Sequence, residues 1–371
     1  MNQHRASPNS ASPIRVLVVD DSAVVRGILG RMVDAQDDMH VATTATNGSD
    51  ALDALRLQEI DVVLLDIEMP VMDGLTALPL ICQRHPRARV LVTSSLTHQS
   101  ASVTMRALAL GAVDYVHKPS ARDGGVCGVE TAAAGIIAKI RAVAQTDSKR
   151  ARNSSLRRDS DGAAVRSTRT AQPVGDFEPQ VLALAASTGG PNALAVVIAG
   201  LPRDFPLPVL VTQHMPPIFT TMFAQRLARE SNLPCDDARD GEALQPGRVY
   251  VAPGDHHMTV FSAGIAFTPA LHITSDPPEH HCRPAADPML RTAAQTFPNG
   301  VLAVVLTGMG EDGRQGCEAV AAAGGRIIVQ DETTSVVWGM PGGVVASGIP
   351  CSILPLQTIS AHVVSLCCIR S

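Results

Sequence analysis

Aromatic residues are scarce in this chain, which has 371 residues and only 3% Phe, Trp and Tyr. That scarcity argues against platforms on which nucleic-acid bases stack. Positive charge is not in excess either, because the formal net charge is −5, so there is no electrostatic reason to expect a nucleic-acid partner. The composition therefore disfavours a DNA-binding output.

Cysteine motifs that bind metal or form redox pairs are also missing, as are long apolar runs. The 8 cysteines show no CxxC pair and no zinc-ligand spacing, and the adjacent pair Cys367-Cys368 lies in an apolar run that favours packing. The segment Met1 to Pro13 is polar and lacks the apolar core of a signal peptide. No stretch is long and apolar enough to span a bilayer. We therefore expect a reduced, cytoplasmic protein without membrane insertion.

The first part of the chain alternates between apolar runs and amphipathic stretches. After a disordered N-terminus at residues 1–13, this alternation predicts a doubly wound parallel α/β sheet over residues 14–144. The predicted strands are Ile14–Val19, His40–Thr43, Val62–Leu65, Val90–Ser94 and Asp114–His117. The predicted helices are Ser22–Ala35, Gly48–Leu57, Leu75–Arg84, Ala101–Leu110 and Glu130–Ala144.

Residues 145–178 have a different composition, rich in Ser, Arg, Asp and Thr and poor in apolar residues. Such a segment cannot bury enough surface to offset the entropy lost on ordering. Its arginines could suggest a nucleic-acid or membrane patch, but aspartates are interleaved with them. A solvated linker is therefore the favoured interpretation.

A second α/β pattern follows over residues 179–371 and predicts a second doubly wound parallel-sheet domain. The predicted strands are Val181–Ala185, Pro208–Thr212, Arg248–Val251, Val301–Leu306 and Arg326–Val329. The predicted helices are Asn192–Ala199, Phe219–Glu230, Pro288–Thr296 and Arg314–Ala323.

Acidic side chains follow two strands of the first predicted sheet. Asp20 and Asp21 come directly after one apolar run, and Asp66 comes at the end of another. Side chains just past the carboxyl ends of parallel strands gather in one crevice. Three carboxylates there repel one another unless a cation lies among them, and Mg²⁺ suits such oxygen ligands. This is the chemistry needed to move a phosphoryl group onto a carboxylate.

Two more polar residues end the next strands along this sheet. Ser94 ends the fourth predicted strand and Lys118 follows the fifth. Their hydroxyl and ammonium groups are suited to bind the oxygens of a phosphorylated Asp66. One such match would be an ordinary polar strand end, but matches at the ends of four strands favour a switch.

Residues 14 to about 135 resemble a response-regulator receiver domain. The resemblance implies a flavodoxin-like fold with Asp66 as phospho-acceptor, Ser94 as switch hydroxyl, Tyr115 as switch aromatic and Lys118 as the phosphate-binding lysine. It also implies a chemotaxis histidine kinase as phosphodonor and a Mg²⁺ requirement for phosphorylation. The implied metal ligands are Asp20, Asp21, Asp66 and the main-chain carbonyl of Glu68.

Three polar segments follow strands of the second predicted sheet. Ser187 lies between an apolar strand and a helix, where a nucleophile elbow would place a serine. His214 follows another strand, and Asp312 lies just past a third. Residues of these types at the ends of parallel strands can converge at one sheet edge. They would supply the nucleophile, the general base and the carboxylate that orients the base.

Glycine-rich turns flank two of these residues. Their main-chain N–H groups could stabilise an oxyanion, because no bulky side chain screens them. Ala185 stands where the GxSxG elbow has its first glycine, which predicts mild strain if that position needs a positive φ. The turn residues expected to support the oxyanion are Thr188, Gly189, Gly190, Met309 and Gly310.

Each of the three polar residues also has a purely structural interpretation. Ser187 could cap the helix near Asn192, Asp312 could cap the helix near Arg314, and His214 could be a structural histidine. Taken singly, these alternatives are favoured. Taken together, with glycine-rich turns around two of the three, the residues favour catalysis.

A metal site at His256-His257 and His280-His281-Cys282 is disfavoured. Adjacent histidines cannot easily reach one ion, and no carboxylate is spaced along the sequence to complete the set. Cys282 is also disfavoured as a rival nucleophile, because no strand–glycine turn presents it.

The second half resembles the methylesterase domain of the CheB family of chemotaxis response regulators. The family's STGG serine, QHMP histidine and TGMGxDG aspartate match Ser187, His214 and Asp312. Three more stretches of the family recur, at Val251–Gly254, Cys282–Pro284 and Gly339–Gly342.

The resemblance implies a Ser-His-Asp hydrolase that works through an acyl-enzyme and needs no cofactor for that chemistry. Its substrates would be methyl-esterified glutamates of chemoreceptors, and it would deamidate some glutamines to glutamate. The receiver would restrain the esterase until Asp66 is phosphorylated.

Two other functions stay open at this point. One is a phosphorylation-controlled scaffold or binding module with an inert hydrolase-like domain. The other is a receiver-controlled esterase or amidase with a small-molecule substrate. Labelling of Ser187 by a fluorophosphonate separates an enzyme from a scaffold, and methanol release from receptors compared with generic esters separates the two enzymes.

Overall fold

The computed structural model describes residues 12–95, 97–118, 133–144, 177–263 and 268–367. The chain divides into two compact units, each containing one parallel sheet. The N-terminal segment up to residue 11 and the linker from 145 to 176 lie outside the described residues, as do Cys368 and residues 130–132 of the last helix predicted for the first domain. The domain boundaries given above stay predictions.

The first unit contains a five-stranded parallel sheet in the order β2-β1-β3-β4-β5, which is the flavodoxin-like order. Its strands read as continuous apolar runs because helices cover both faces of such a sheet. The strands are β1 Ile14–Val19, β2 Met39–Ala45, β3 Val62–Asp66, β4 Arg89–Ser94 and β5 Asp114–His117. The helices of this unit are α1 Ala23–Asp34, α2 Gly48–Leu57, α3 Gly74–Arg84 and α5 over 133–144. Helix α4 His98–Ala109 lies between β4 and β5 in the sequence.

Side-chain caps begin the first three helices, each in the loop that follows a strand. Ser22 accepts from the N–H of Val25 at α1, Asn47 caps α2, and Asp73 accepts from the N–H of Thr76 at α3. Each cap satisfies a helix N–H that has no partner within the helix and contributes about 1 kcal/mol. The caps therefore fix where the chain turns away from the sheet edge that carries the acidic residues.

The second unit contains a seven-stranded parallel sheet in the order β14-β13-β12-β6-β7-β9-β8. An antiparallel pair, β10-β11, forms a separate two-stranded sheet. The strands are β6 Val181–Ala186, β7 Val209–Gln213, β8 Cys235–Asp237, β9 Val249–Val251, β10 His257–Ala263, β11 Thr268–Thr274, β12 Val301–Val305, β13 Arg326–Gln330 and β14 Ser352–Leu354. The helices are α6 Gly190–Ala199, α7 Pro217–Glu230, α8 Ala286–Thr296, α9 Arg314–Ala322, α10 Met340–Ala346 and α11 Leu356–Cys367.

The parallel α/β class predicted for both halves is confirmed, but six elements of the second unit were not predicted. Two of them, β8 and β14, are only 3 residues long, too short to show a period. The hairpin β10-β11 lacks the continuous apolar run on which the strand predictions relied. Helix α10 contains two glycines, which are poor helix formers, and α11 was left unassigned.

Three neighbouring strands position the polar segments of the second unit. Strand β6 pairs in parallel with β12 on one side and with β7 on the other. Their carboxyl ends therefore lie at one edge of the sheet, where the loops carrying Ser187, His214 and Asp312 begin. In the part of the chain that the structure describes, no helix combines the length and apolar character needed to cross a membrane.

Candidate active site and phosphorylation site

Ser187, His214 and Asp312 are brought together at the carboxyl edge of the seven-stranded sheet. The hydroxyl oxygen of Ser187 lies 3.1 Å from Nδ1 of His214. Nε2 of the same ring lies 2.7 Å from Oδ2 of Asp312. A nucleophile, a base and an orienting carboxylate are thus connected by hydrogen bonds, which is the geometry that defines a Ser-His-Asp triad.

The two ring nitrogens of His214 have exchanged partners relative to the serine-protease triad. There Nε2 faces the serine and Nδ1 faces the aspartate, whereas here Nδ1 faces Ser187. Burial lowers the pKa of His214, but hydrogen bonds from the ring to Asp312 and to Cys282 outweigh burial and raise that pKa above its ordinary value. The ring is therefore a stronger proton acceptor than a free imidazole.

The carboxylate of Asp312 is almost fully buried and saturated with donors. Besides His214, it accepts from the N–H groups of Ala286 at 2.6 Å, Asp287 at 3.0 Å and Gly313 at 2.9 Å. Burial raises the pKa of Asp312, but the bond and charge of His214 together with the N–H groups of α8 hold it below the ordinary value. Asp312 therefore stays ionised and its orientation is fixed.

The starts of α6 and α9 bear on the capping interpretations of Ser187 and Asp312. The N-cap of α6 is Gly189, and no side chain caps that helix, so Ser187 is not a cap. The N-cap of α9 is Gly313, again without a side-chain cap. Asp312 does accept hydrogen bonds from the first N–H groups of a helix, but that helix is α8, which is distant from Asp312 in the sequence.

The serine turn differs from the predicted nucleophile elbow. The residue with positive φ is Gly189, at +77°, and neither Ser187 nor Ala185 is among the described residues with positive φ. Ala185 lies within β6 and pairs with both neighbouring strands, so the strain predicted there does not arise. The turn requires glycine at 189, because an added Cβ would lie 2.6 Å from Val336.

The second glycine turn packs directly against the serine. A Cβ on Gly308 would come within 2.9 Å of Cβ of Ser187, so the two turns touch. The N–H of Gly308 donates to Val337 at 3.0 Å, and the carbonyl of Gly308 accepts from Gly339 and Met340. The Gly339–Gly342 stretch therefore holds the turn that contains Met309 and Gly310.

The predicted support residues lie around the serine in different environments. Thr188 is buried, and its carbonyl accepts from the hydroxyl of Thr307 at 2.9 Å. Gly190 begins α6, and its N–H donates to the carbonyl of Ser187 at 2.8 Å, so it is not available to an oxyanion as predicted. Met309 has an exposed side chain. Gly310 has a φ of +86° with open space around it.

Gln213 is a further residue of the site that the sequence reasoning did not single out. It is buried at the end of β7, and its Nε2 donates to the carbonyl of Ser187 at 3.0 Å. It thereby ties the serine turn to the strand that carries His214. The signal was available, because Gln213 belongs to the same four-residue motif as His214.

The histidine cluster is arranged differently from what the sequence predicted. Both ring nitrogens of His257 are engaged with the main chain of Ala285 and Pro277, which leaves no nitrogen for a shared ion. His280 lies beside two carboxylates, Asp287 and Asp312, with ligand atoms within 4.8 Å of one another. The prediction that no carboxylate completes a set with these histidines was therefore wrong.

Hydrogen bonds within the protein already connect the three members of this cluster, His280, Asp287 and Asp312. Both oxygens of Asp312 and both oxygens of Asp287 already accept from groups of this chain. Cys282 is disfavoured as a nucleophile, and no glycine turn presents it, yet its thiol helps to raise the pKa of His214. The sequence could not show that influence, because the two residues are far apart in the chain.

The acidic residues of the first unit also meet at a sheet edge. Ligand oxygens of Asp20, Asp21 and Asp66 lie within 4.8 Å of one another. Nζ of Lys118 lies 2.8 Å from Oδ1 of Asp66 and 2.9 Å from Oδ2 of Asp20. Burial raises the pKa of Asp66, and the bond from Lys118 opposes that rise only in part.

The other predicted switch residues lie nearby on the same sheet. Ser94 is buried at the end of β4, and Tyr115 is buried in β5, where Nζ of Lys139 lies 4.8 Å above its ring. Glu68 has an exposed side chain, so its main-chain carbonyl is the group of interest. Three convergent carboxylates form an all-oxygen donor set, which fits Mg²⁺.

Residues 182–363 match the family model described as CheB methylesterase, and residues 16–126 match the response regulator receiver domain. A protein of Azospirillum brasilense named protein-glutamate methylesterase/protein-glutamine glutaminase is 41% identical over 375 residues, covering 97% of this chain and 94% of that protein. A Caulobacter vibrioides protein named protein-glutamate methylesterase/protein-glutamine glutaminase 2 is 45% identical over 355 residues, covering 95% and 98%.

Among solved structures, the Thermotoga maritima CheB methylesterase catalytic domain is 38% identical, covers 51% of this chain and 99% of that chain, and has a TM-score of 0.49. The family assignment rests on the sequence matches, which extend over nearly the whole chain. The chain therefore belongs to the CheB methylesterase family, with a response regulator receiver domain ahead of the methylesterase domain.

Proposed function

We propose that this chain is a protein-glutamate methylesterase and protein-glutamine glutaminase that acts on chemoreceptors and is activated by phosphorylation. The series of contacts from Ser187 through His214 to Asp312 carries the proposal. The names of relatives that match nearly the whole chain support this pair of activities.

In the first half of the reaction, Oγ of Ser187 attacks the side-chain carbonyl carbon of a methyl-esterified glutamate. Nδ1 of His214 accepts the hydroxyl proton as the new C–O bond forms. Asp312 keeps the ring hydrogen on Nε2, so that the lone pair of Nδ1 faces the serine, and its charge stabilises the imidazolium. His214 then gives its proton to the leaving group, which departs as methanol from an ester or as ammonia from a glutamine amide.

In the second half, water replaces the leaving group. His214 takes a proton from water as the water oxygen attacks the acyl carbon. Collapse of this second intermediate breaks the bond to Ser187, which recovers its proton from the ring. The product is glutamate in both cases, because ester and amide pass through the same acyl-enzyme.

Main-chain N–H groups of the two glycine turns, other than that of Gly190, stabilise the negative charge that develops on the substrate carbonyl oxygen. Three observations support this role. The turn at Thr188–Gly190 follows the nucleophile directly, the turn at Met309–Gly310 is anchored next to it, and Gly308 packs against Ser187 itself. A donor fixed before the reaction has no reorganisation cost when charge develops.

The receiver accepts a phosphoryl group on Asp66 from a chemotaxis histidine kinase. Asp20, Asp21 and Asp66, with the main-chain carbonyl of Glu68, would hold the Mg²⁺ ion, which would neutralise phosphate charge during the transfer. Lys118 binds a phosphate oxygen afterwards through its ammonium group. The hydroxyl of Ser94 binds another oxygen, and Tyr115 reports the change to the receiver surface.

The test is methanol release from methylated receptors by the full chain, with and without acetyl phosphate as phosphodonor. We expect a rate that rises with phosphodonor in the parent and in Ser262→Ala, an exposed serine on β10 that serves as control. Asp66→Ala should keep the basal rate and lose the rise, and Ser187→Ala should lose both. Release by Ser187→Ala near the parental rate would refute the mechanism.

A further inference from the structure

Asp287 is a buried carboxylate that the reaction described above does not use. It lies in the first turn of α8 and its side chain is fully buried. Its Oδ2 accepts from Nε2 of His280 at 2.8 Å, and its Oδ1 accepts from the N–H of Gly316 at 2.6 Å. A carboxylate without solvent contact is costly to bury unless it is paired, as it is here.

Asp287 and Asp312 each accept hydrogen bonds from the first turn of the helix next to the other residue. Asp312 precedes α9 in the chain but accepts from the N–H groups of Ala286 and Asp287 at the start of α8. Asp287 belongs to α8 but accepts from the N–H of Gly316 in the first turn of α9. Each helix start therefore fixes the carboxylate that comes from the other one, and neither can shift without disturbing Asp312.

The two carboxylates also act on each other electrostatically. Their ligand atoms and that of His280 lie within 4.8 Å of one another. Burial raises the pKa of Asp287, and the N–H of Gly316 and the His280 ring oppose burial while the charge of Asp312 adds to it. The charges of Asp287 and Asp312 also raise the pKa of Cys317 on α9 and that of Arg291 on α8. Arg291 is paired with Glu279.

The segment before α8 places His280 against Asp287 with an unusual backbone. His280 and His281 have φ values of +51° and +61°, a conformation that non-glycine residues adopt rarely. His280 remains partly exposed while its Nε2 reaches the buried carboxylate. The imidazole thus forms the partly exposed end of the hydrogen-bond network.

We infer that Asp287, held by His280, is a positioning residue for the esterase reaction, because it locks Asp312 against His214 and adds negative charge behind it. The inference rests on the proposed function. It predicts two effects of the same group, one on the alignment of Asp312 and one on the ease with which His214 is protonated. A helix cap with a purely structural role would have neither effect on catalysis.

The test uses the full chain and the variant Asp287→Asn, with methanol release measured as a function of substrate concentration and pH. We expect kcat to fall about 10- to 100-fold, as for other small misplacements of a catalytic group, with KM close to the parental value. Loss of the negative charge makes protonation of His214 less favourable, so the acid limb of the kcat/KM profile should move to lower pH.

Two variants of His280 separate the contribution of its donor from that of folding. The side-chain amide of His280→Gln can donate from a similar place, so the kcat of this variant should stay within a few-fold of the parental value. His280→Ala has no donor there and should lose activity. The matched control is Asp240→Asn, because Asp240 also pairs with a histidine, His272 at 2.7 Å, and accepts a main-chain N–H. His272 lies on β11 and Asp240 in the loop between β8 and β9, and we expect parental kinetics.

The outcomes are distinct. If Asp287→Asn has a lower melting temperature but parental kcat and pH profile, Asp287 is only a helix cap and the inference is overturned. If Asp287→Asn does not fold, equal activity of His280→Ala and His280→Gln overturns it. Absence of methanol release by the parent itself would instead refute the proposed function.

Discussion

Nε2 of His214 lies 2.7 Å from Oδ2 of Asp312, and that contact decides which ring nitrogen is left to face Ser187. Because the aspartate holds Nε2, the nitrogen nearer to the main chain becomes the proton acceptor. The carboxylate is in turn fixed by N–H groups of α8. The catalytic geometry thus depends on a helix start as much as on the triad itself.

Replacing Asp312 with Asn should leave the fold intact and remove most of the activity. The amide can keep the place of the carboxylate, but it can donate to the ring and so favour the wrong tautomer of His214. We expect kcat for methanol release to fall about 10⁴-fold, as for loss of the triad carboxylate in serine proteases. Asp331→Asn, at a turn after β13, is the control. A decrease of less than about 10-fold would contradict the role of Asp312.

The pH dependence follows from the raised pKa of His214. Only the neutral ring can accept the proton of Ser187, so activity is present above the pKa of His214 and is lost as pH falls through it. Because hydrogen bonds to Asp312 and Cys282 raise this pKa above 6.5, the midpoint of the acid limb of kcat/KM should lie above that value. The measurement is methanol release across pH with a fixed phosphodonor. A midpoint below 6.5 would show that burial outweighs the hydrogen bonds.

The two glycines at 189 and 348 offer a matched pair for stability. Both have positive φ, +77° and +78°, but an added Cβ meets Val336 at 2.6 Å only in the first case. Gly348→Ala should cost about 1–2 kcal/mol from the backbone alone, and Gly189→Ala should add about 1–3 kcal/mol of overpacking. Denaturant unfolding measures both values. Equal losses would mean that Val336 moves aside without cost.

Phosphorylation should depend on Mg²⁺ through the acidic cluster. Asp21→Asn removes one predicted ligand, so a higher Mg²⁺ concentration should be needed for the phosphodonor to raise the methanol-release rate. The basal rate should not change, because the esterase residues are untouched. Asp53→Asn, an exposed position on α2, should keep the parental Mg²⁺ dependence. An unchanged requirement in Asp21→Asn would remove Asp21 from the metal site.

Much of the fold was predictable because buried parallel strands produce continuous apolar runs. The bounds of β1, β5 and α2 agree with the prediction to the residue, and the positions of the strand ends led to Ser187, His214 and Asp312. The predictions failed where that signal is weak. Strands of three residues show no period, and the glycines of α10 conceal a helix whose stability comes from tertiary contacts.

The sequence by itself determined which chemical groups stand at the ends of the strands, since strand polarity and residue order are local properties. Only the tertiary structure decided how those groups face one another. Residues far apart in the chain set the orientation of the His214 ring, the effect of Cys282 on its pKa and the contacts that interlock Asp287 and Asp312. Such contacts depend on how helices pack against the finished sheet, and no local pattern records that packing.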